Sequence, residues 1–283
     1  MNIELLSPCK INLFLHINGR RDDGYHELQT IFQLLNYGDS MHFKARADGE
    51  VTISPDFTDI PLETNLIWRA AQLLKQTSNC PLGAAITINK RIPMGGGLGG
   101  GSSNAATTLL ALNRLWKLNL STDKLAALGK TLGADVPVFV SGHSAFAEGI
   151  GDQLTPINLP ENWYLIISPG CSVNTAKIFS DKRLTRNTSK LKIAPALEGY
   201  GSSLRNDCEP LVRSMFDPVD QAINWLNKFS KAMLTGTGAC VFAKFESMTK
   251  ANEVLNQLPE QFKGFVAQGI NQSPVHIELE KRT

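Results

Sequence analysis

Pro93-Met94-Gly95-Gly96-Gly97-Leu98-Gly99-Gly100-Gly101-Ser102-Ser103 is the stretch whose reading decides this chain. Ahead of it, Ala85-Ile86-Thr87-Ile88-Asn89-Lys90 alternates as a strand does. Behind it, Asn104 to Leu112 carries apolar residues three and four apart, which predicts a helix. Strand, glycine loop and helix start together suit a phosphate. Glycine lets the backbone come close to a ligand and take positive φ. The first N–H groups of a helix lack internal partners and sit at the positive end of its dipole, so they favour an anion. Ser102 or Ser103 can cap the helix and still turn a hydroxyl toward a phosphate or its metal ion.

Two better-known glycine loops fit poorly. A Walker A loop needs Lys after its last glycine, and here Ser102 follows Gly101. Gly95-x-Gly97-x-x-Gly100 matches the dinucleotide fingerprint as a string, but Pro93 interrupts a strand leading directly into it. Asp123, nearest the place of the required acid, lies in a helical pattern. A flexible linker would not stand between two well-patterned elements.

With 283 residues, 42% hydrophobic and 19% charged, the chain has material for a large core in one domain or two. A net charge of +2 gives no electrostatic case for nucleic acid. No apolar run approaches the roughly 20 residues that span a bilayer. Met1-Asn2-Ile3-Glu4 lacks the start of a signal peptide, so no membrane partner and a cytoplasmic location are expected. Cys9, Cys80, Cys171, Cys208 and Cys240 are odd in number, scattered and without a CxxC pair, as for reduced thiols. The five histidines show no metal-ligand spacing.

Along the chain, Leu5 to Leu15 reads as a strand in which Lys10 and Asn12 share one face. Either this is an edge strand with a solvated face, or the two polar groups have work to do. Gly19 to Gly24 is a charged, turn-rich loop delivering Tyr25-His26, a pair able to stack on a base and bond its edge, or simply to anchor the loop. Met41–Arg46, a turn at Asp48-Gly49 and Val51–Ile53 predict a hairpin. Thr64 can cap a helix with Asn65 in its first turn. Ser121 opens another helix ending near Gly133. Asp135, in Gly133-Ala134-Asp135-Val136-Pro137, is the one ionisable group of an apolar run. It can cap a helix, or, paired with Lys10, stay ionised and orient a hydroxyl.

Loop chemistry from Gly151 to Pro160 marks a boundary, dividing 1–158 from 159–283. Trp163–Ser168 is a buried strand, and the Lys- and Arg-rich segment 177–192 a solvated face or an attractor of polyphosphate. Gly236-Thr237-Gly238 joins two strands as a tight hairpin or as a backbone nest for an anion. Strand, helices, strand pair, helix, strand fits a split βαβ sandwich in this second half.

Pro8-Cys9-Lys10-Ile11-Asn12-Leu13, Pro93 to Ser103, and Leu234-Thr235-Gly236-Thr237-Gly238-Ala239-Cys240 resemble, in order and spacing, the three motifs of the GHMP small-molecule kinases. Gly19 to Thr30 and Gly133 to Pro137 narrow the resemblance to the branch acting on a cytidine-diphosphate-linked methylerythritol. The resemblance implies an α+β fold of two domains, an N-terminal nucleotide-binding one and a C-terminal ferredoxin-like sandwich. It implies ATP as co-substrate, Mg²⁺, and CDP-methylerythritol phosphorylated on its 2-hydroxyl. Carried over by motif, Lys10 and Asp135 would form the catalytic pair and Asn12 would help hold the erythritol hydroxyls. Tyr25 and His26 would recognise cytosine, and Thr175 would line the substrate side. Asn65 would lie near the nucleotide, Pro93 to Ser103 (Pro93, Met94, Gly95, Gly96, Gly97, Leu98, Gly99, Gly100, Gly101, Ser102, Ser103) would wrap the ATP phosphates, and Gly236, Thr237 and Gly238 would close over the reacting phosphates. Cys9 departs from the family's usual alanine, so packing beside Lys10 would change and chemistry would not. Metal ligands and the choice between monomer and homodimer stay open. So do three alternatives: a homoserine, mevalonate or sugar kinase of the same family, a non-catalytic nucleotide binder, and an NAD-dependent oxidoreductase.

Overall fold

Two long strands, β1 (Asn2–Arg20) and β2 (His26–Arg46), pair antiparallel from Asn2↔Lys44 to Arg20↔His26. The computed structural model describes residues 2–55, 61–192 and 204–281. The β1–β2 register shifts between Pro8 and Lys10, where proline has no N–H for the ladder, and again between Asn12 and Leu15. β1 is no solvated edge: Lys10 and Asn12 are each 3% exposed. Its apolar residues enter three separate cores, Ile3 and Leu5 in one, Cys9 to Phe14 in a second, Leu15 and Ile17 in a third.

The hairpin expected after β2 does not form. The turn closes locally, with Asp48 accepting the Glu50 N–H, but β3 (Val51–Ser54) pairs in parallel with β4 (Gly83–Asn89). β4 itself lies antiparallel against β2, between it and β3. A parallel pair needs a crossover, and α1 (Leu66–Ser78) supplies it, burying Ile67, Ala70, Ala71 and Leu74. Asn65 caps α1 by accepting the Ile67 N–H, the role expected of Thr64. The loop 90–99 then leads into α2 (Gly100–Leu115), buried along nearly its whole length. α3 (Thr122–Lys130), capped by Ser121, α4 (Val136–Ser141) and the strands β5 (Ala145–Glu148) and β6 (Gln153–Pro156) complete the first half.

In the second half β7 (Trp163–Ser168), β8 (Ala232–Leu234), β9 (Val241–Phe245) and β10 (Lys263–Ile270) align as β10-β7-β9-β8, all antiparallel. This is the split βαβ order. The helices α5 (Thr175–Ser180), α6 (Glu209–Met215), α7 (Asp217–Leu226) and α8 (Met248–Leu255) belong to the same half. β10 also pairs with β2 through Gly269↔Leu35 and Ile270↔Leu34. A last helix, α9 (Pro274–Glu280), was not anticipated; Ser273 caps it, and Val275 and Leu279 pack into the core of the first half. The fold is α+β. All five cysteines are free thiols, and burial pushes that of Cys9 well above the ordinary range. Among the described residues no helix is long and apolar enough to cross a membrane.

Candidate active site

The glycine loop achieves its shape by alternation: Gly95, Gly97 and Gly99 have φ of 67°, 74° and 71°. Residues of left-handed conformation spaced two apart turn successive N–H groups toward one concave side. Gly99 takes the N-cap position of α2 without a side-chain bond. Pro93 to Ser102 line a cavity of about 380 Å³ together with Thr64, Asn65, Lys90 and Asn104. Ser103, expected there, is absent from the lining: it is fully buried, with its hydroxyl 2.8 Å from Ser7 Oγ. The second turn of α2 faces the core, so of the two adjacent serines Ser102 alone lines the cavity.

A second cavity, about 310 Å³, opens from the same wall, since Gly97, Gly99 and Ser102 line both. Lys10 and Asp135 meet in it at 3.2 Å. The Lys10 ammonium donates to Asn12 Oδ1 at 2.7 Å and to the Gly97 carbonyl at 3.0 Å, beside its ion pair with Asp135. Asp135 stands at the N-cap position of α4 but makes no capping bond, which leaves its carboxylate to the ammonium. Asn12 lines this cavity, its Oδ1 accepting from Lys10 and its Nδ2 donating to Thr30 Oγ1 at 2.9 Å. It thus braces the ammonium from within the cavity that would take the substrate hydroxyls.

The loop 235–240 is longer than a tight hairpin and lies on the glycine loop. The Cys240 N–H donates to the Gly96 carbonyl at 3.1 Å, and Ala239 N–H to that of Gly95 at 3.3 Å. Gly236 and Thr237 line the second cavity, and Thr237 Oγ1 lies 2.8 Å from Thr175 Oγ1. Gly238, expected beside them, is not in the lining; its α-carbon faces Leu234, Val173 and Val212 in the second-half core. A third cavity of about 620 Å³ continues from the second, sharing Leu28, Ala134, Ile150, Thr175 and Phe179. Tyr25, 59% exposed, and buried His26 line it. Three compartments thus stand in a row, with the lysine–aspartate pair in the middle one.

Residues 65–143 match the family described as GHMP kinases N terminal domain, and residues 193–264 match GHMP kinases C terminal. The chain is 58% identical to the 4-diphosphocytidyl-2-C-methyl-D-erythritol kinase of Hahella chejuensis (strain KCTC 2396), over 99% of this chain and 97% of that protein. The chain belongs to the GHMP kinases, in the family of that relative. The kinase of the same name from Marinobacter nauticus is 53% identical over 98% of this chain and 97% of its own. A crystal structure of 4-(cytidine 5'-diphospho)-2C-methyl-D-erythritol kinase superposes with a TM-score of 0.84 at 30% identity, covering 95% of this chain and 100% of that one. A mevalonate kinase, 18% identical with a TM-score of 0.68 over 96% of this chain and 100% of its own, shares the fold.

Three polar residues that hold this GHMP kinase's site together carry no motif. Asn206 Nδ2 donates to the carbonyls of Gly236 and Leu234, at 2.7 and 2.8 Å, fixing the second turn. Arg186, from the basic segment, donates to His26. Asp39 is fully buried beneath the glycine loop, where Oδ1 accepts the N–H groups of Arg91 and Ile92, and Oδ2 those of Lys90 and Asn104 Nδ2. In Asp39→Asn the amide nitrogen would face the Lys90 ammonium, donor against donor. We expect a loss of about 2–3 kcal/mol in urea unfolding. The Michaelis constant for the nucleotide should rise while that for the phosphoryl acceptor stays put. An unchanged nucleotide constant would reduce Asp39 to a folding role.

Proposed function

We propose that this kinase transfers the γ-phosphoryl group of ATP to the 2-hydroxyl of 4-(cytidine 5'-diphospho)-2-C-methyl-D-erythritol, in the non-mevalonate route to isoprenoids. The observation that carries the reading is the Lys10–Asp135 pair in the middle compartment, between the glycine-loop cavity and the Tyr25–His26 cavity. Phosphoryl transfer asks a protein chiefly for alignment and for positive charge where the γ-phosphate oxygens gather it. The loop amides and helix start of α2 hold the phosphates, and Lys10 adds its charge at the transfer point. Asp135 takes or orients the proton of the attacking hydroxyl. The base fits the far compartment, between an exposed tyrosine and a buried histidine. The names of the relatives support this choice of substrate.

A magnesium ion held mainly by phosphate oxygens and water needs few protein ligands. The donors at the junction of the first two cavities fit that demand: Ser102 hydroxyl lines both, and the Asp135 carboxylate faces the second. Such an ion, when bound, supplies further neutralisation of phosphate charge. We also place the division of labour near residue 158, the glycine loop belonging to the first part and the closing turn to the second. Five free cysteines accord with a reducing cytoplasm.

ADP release tests the assignment when measured with the cytidine-linked substrate, the same alcohol without its cytidine, mevalonate and homoserine. Turnover should require the cytidine. Comparable rates on mevalonate or homoserine would remove the proposal and leave a GHMP kinase of other specificity.

A further inference from the structure

Arg186 is committed by geometry to one atom of His26. Its Nη2 donates to the carbonyls of Phe179 and Asp181 at 2.8 and 2.7 Å, and Nη1 to that of Leu184 at 3.1 Å. With the guanidinium plane fixed this way, the Nε–H meets His26 Nε2 at 3.0 Å. Arginine has five donors, no acceptor and no accessible neutral form. The ring nitrogen it touches must therefore be the acceptor. A neutral imidazole with Nε2 unprotonated carries its hydrogen on Nδ1. Among the described residues, Nδ1 has no protein hydrogen-bond partner. The ring itself is held against Phe179, centroids 5.0 Å apart at 31°. Phe179 thus flanks the imidazole with its ring and pins the arginine with its carbonyl. Both aromatic residues line the third cavity.

We propose that Arg186 is a positioning residue that locks His26 as the neutral Nδ1–H tautomer, and that this lock selects cytosine over uracil. The second half of the statement rests on the reading of the third cavity as the base site. A fixed N–H donor asks the incoming pyrimidine for an acceptor. Cytosine offers unprotonated N3 beside O2, whereas uracil carries a hydrogen on N3 and would set donor against donor. The imidazolium is excluded in turn, because it would point an N–H at the guanidinium. Burial first, then the charges of Arg186 and Arg20, hold the His26 ring below the ordinary histidine range. Arg20 and Asp23 are the other charged groups lining the cavity.

Nitrogen-15 spectra of histidine-labelled wild-type protein at neutral pH test the lock without any substrate, the His26 signals being assigned by their loss in His26→Gln. The expected spectrum has an unprotonated Nε2 and a protonated Nδ1. An Nε2–H tautomer or an imidazolium overturns the proposal, and this arm needs no arginine variant to fold. In Arg186→Met the two tautomers should mix. The preference for the cytidine-linked over the uridine-linked substrate should then fall on the order of 10-fold or more, with the loss in the KM for that substrate and not in the KM for ATP. A variant with mixed tautomers and undiminished preference refutes the role in selection. His26→Ala separates the two claims: full preference in that variant would remove the base-site reading, and selection with it, while the tautomer spectrum stands on its own.

Discussion

Asp135→Asn should lower kcat by about 10²- to 10⁴-fold, the range for loss of a positioned acid–base group, while the protein folds and binds nucleotide. The geometry makes this substitution unusually clean. Asp135 contributes no cap to α4, so the helix start does not depend on its charge. The Lys10 ammonium keeps Asn12 Oδ1 and the Gly97 carbonyl as acceptors, and the new amide oxygen can serve as a third. Asparagine preserves the shape of the middle cavity and removes only the group that can take the hydroxyl proton. Single-turnover measurement of ADP formation, with the thermal midpoint as a control for folding, reads the effect. Near-normal turnover would dismiss Asp135 as the base and leave Lys10 with the loop amides as the whole apparatus.

Gly97→Ala should damage activity and stability together, because it acts on both loops at once. A Cβ at position 97 would lie 2.3 Å from the Thr235 carbonyl oxygen and 3.0 Å from that of Gly238, both backbone atoms unable to swing aside. The left-handed φ of 74° adds about 1–2 kcal/mol of strain for any L side chain. The loops would have to separate, breaking the Cys240-to-Gly96 bond and displacing the carbonyl that orients Lys10. A shift near 1 Å at a reacting centre commonly costs on the order of 10²-fold in rate. We therefore expect kcat/KM to fall by at least about that factor, with the thermal midpoint lowered as well. A variant of wild-type activity would mean that contact between the two loops is dispensable.

Why some of this was legible and some not follows from how far each signal reaches along the chain. The glycine loop declares itself because its partners are its own neighbours, a strand before and a helix after. Lys10 and Asp135 betray themselves by being charged within apolar runs, a local anomaly whose partner can be guessed from its opposite sign. Asp39 and Arg186 sit in ordinary polar surroundings, and what they hold lies 52 and 160 positions away. The turn at Asp48-Gly49 misled for the complementary reason. It forms as its residues dictate, yet the pairing that follows is decided by β4, which arrives only after α1 has crossed over. Ser103 differs from Ser102 by a step of about 100° around a helix, enough to turn a hydroxyl from solvent to core.

The strand β10 hydrogen-bonds to β2 on one flank and to β7 on the other, and β1 threads all three apolar cores. The two halves are thus joined by backbone hydrogen bonds and a shared strand as well as by the chain that runs between them. Where the two facing glycine segments meet, the amide–carbonyl bonds from Cys240 to Gly96 and from Ala239 to Gly95 tie one half's phosphate-side loop to the other half's closing turn, so a distortion of either is passed to its neighbour.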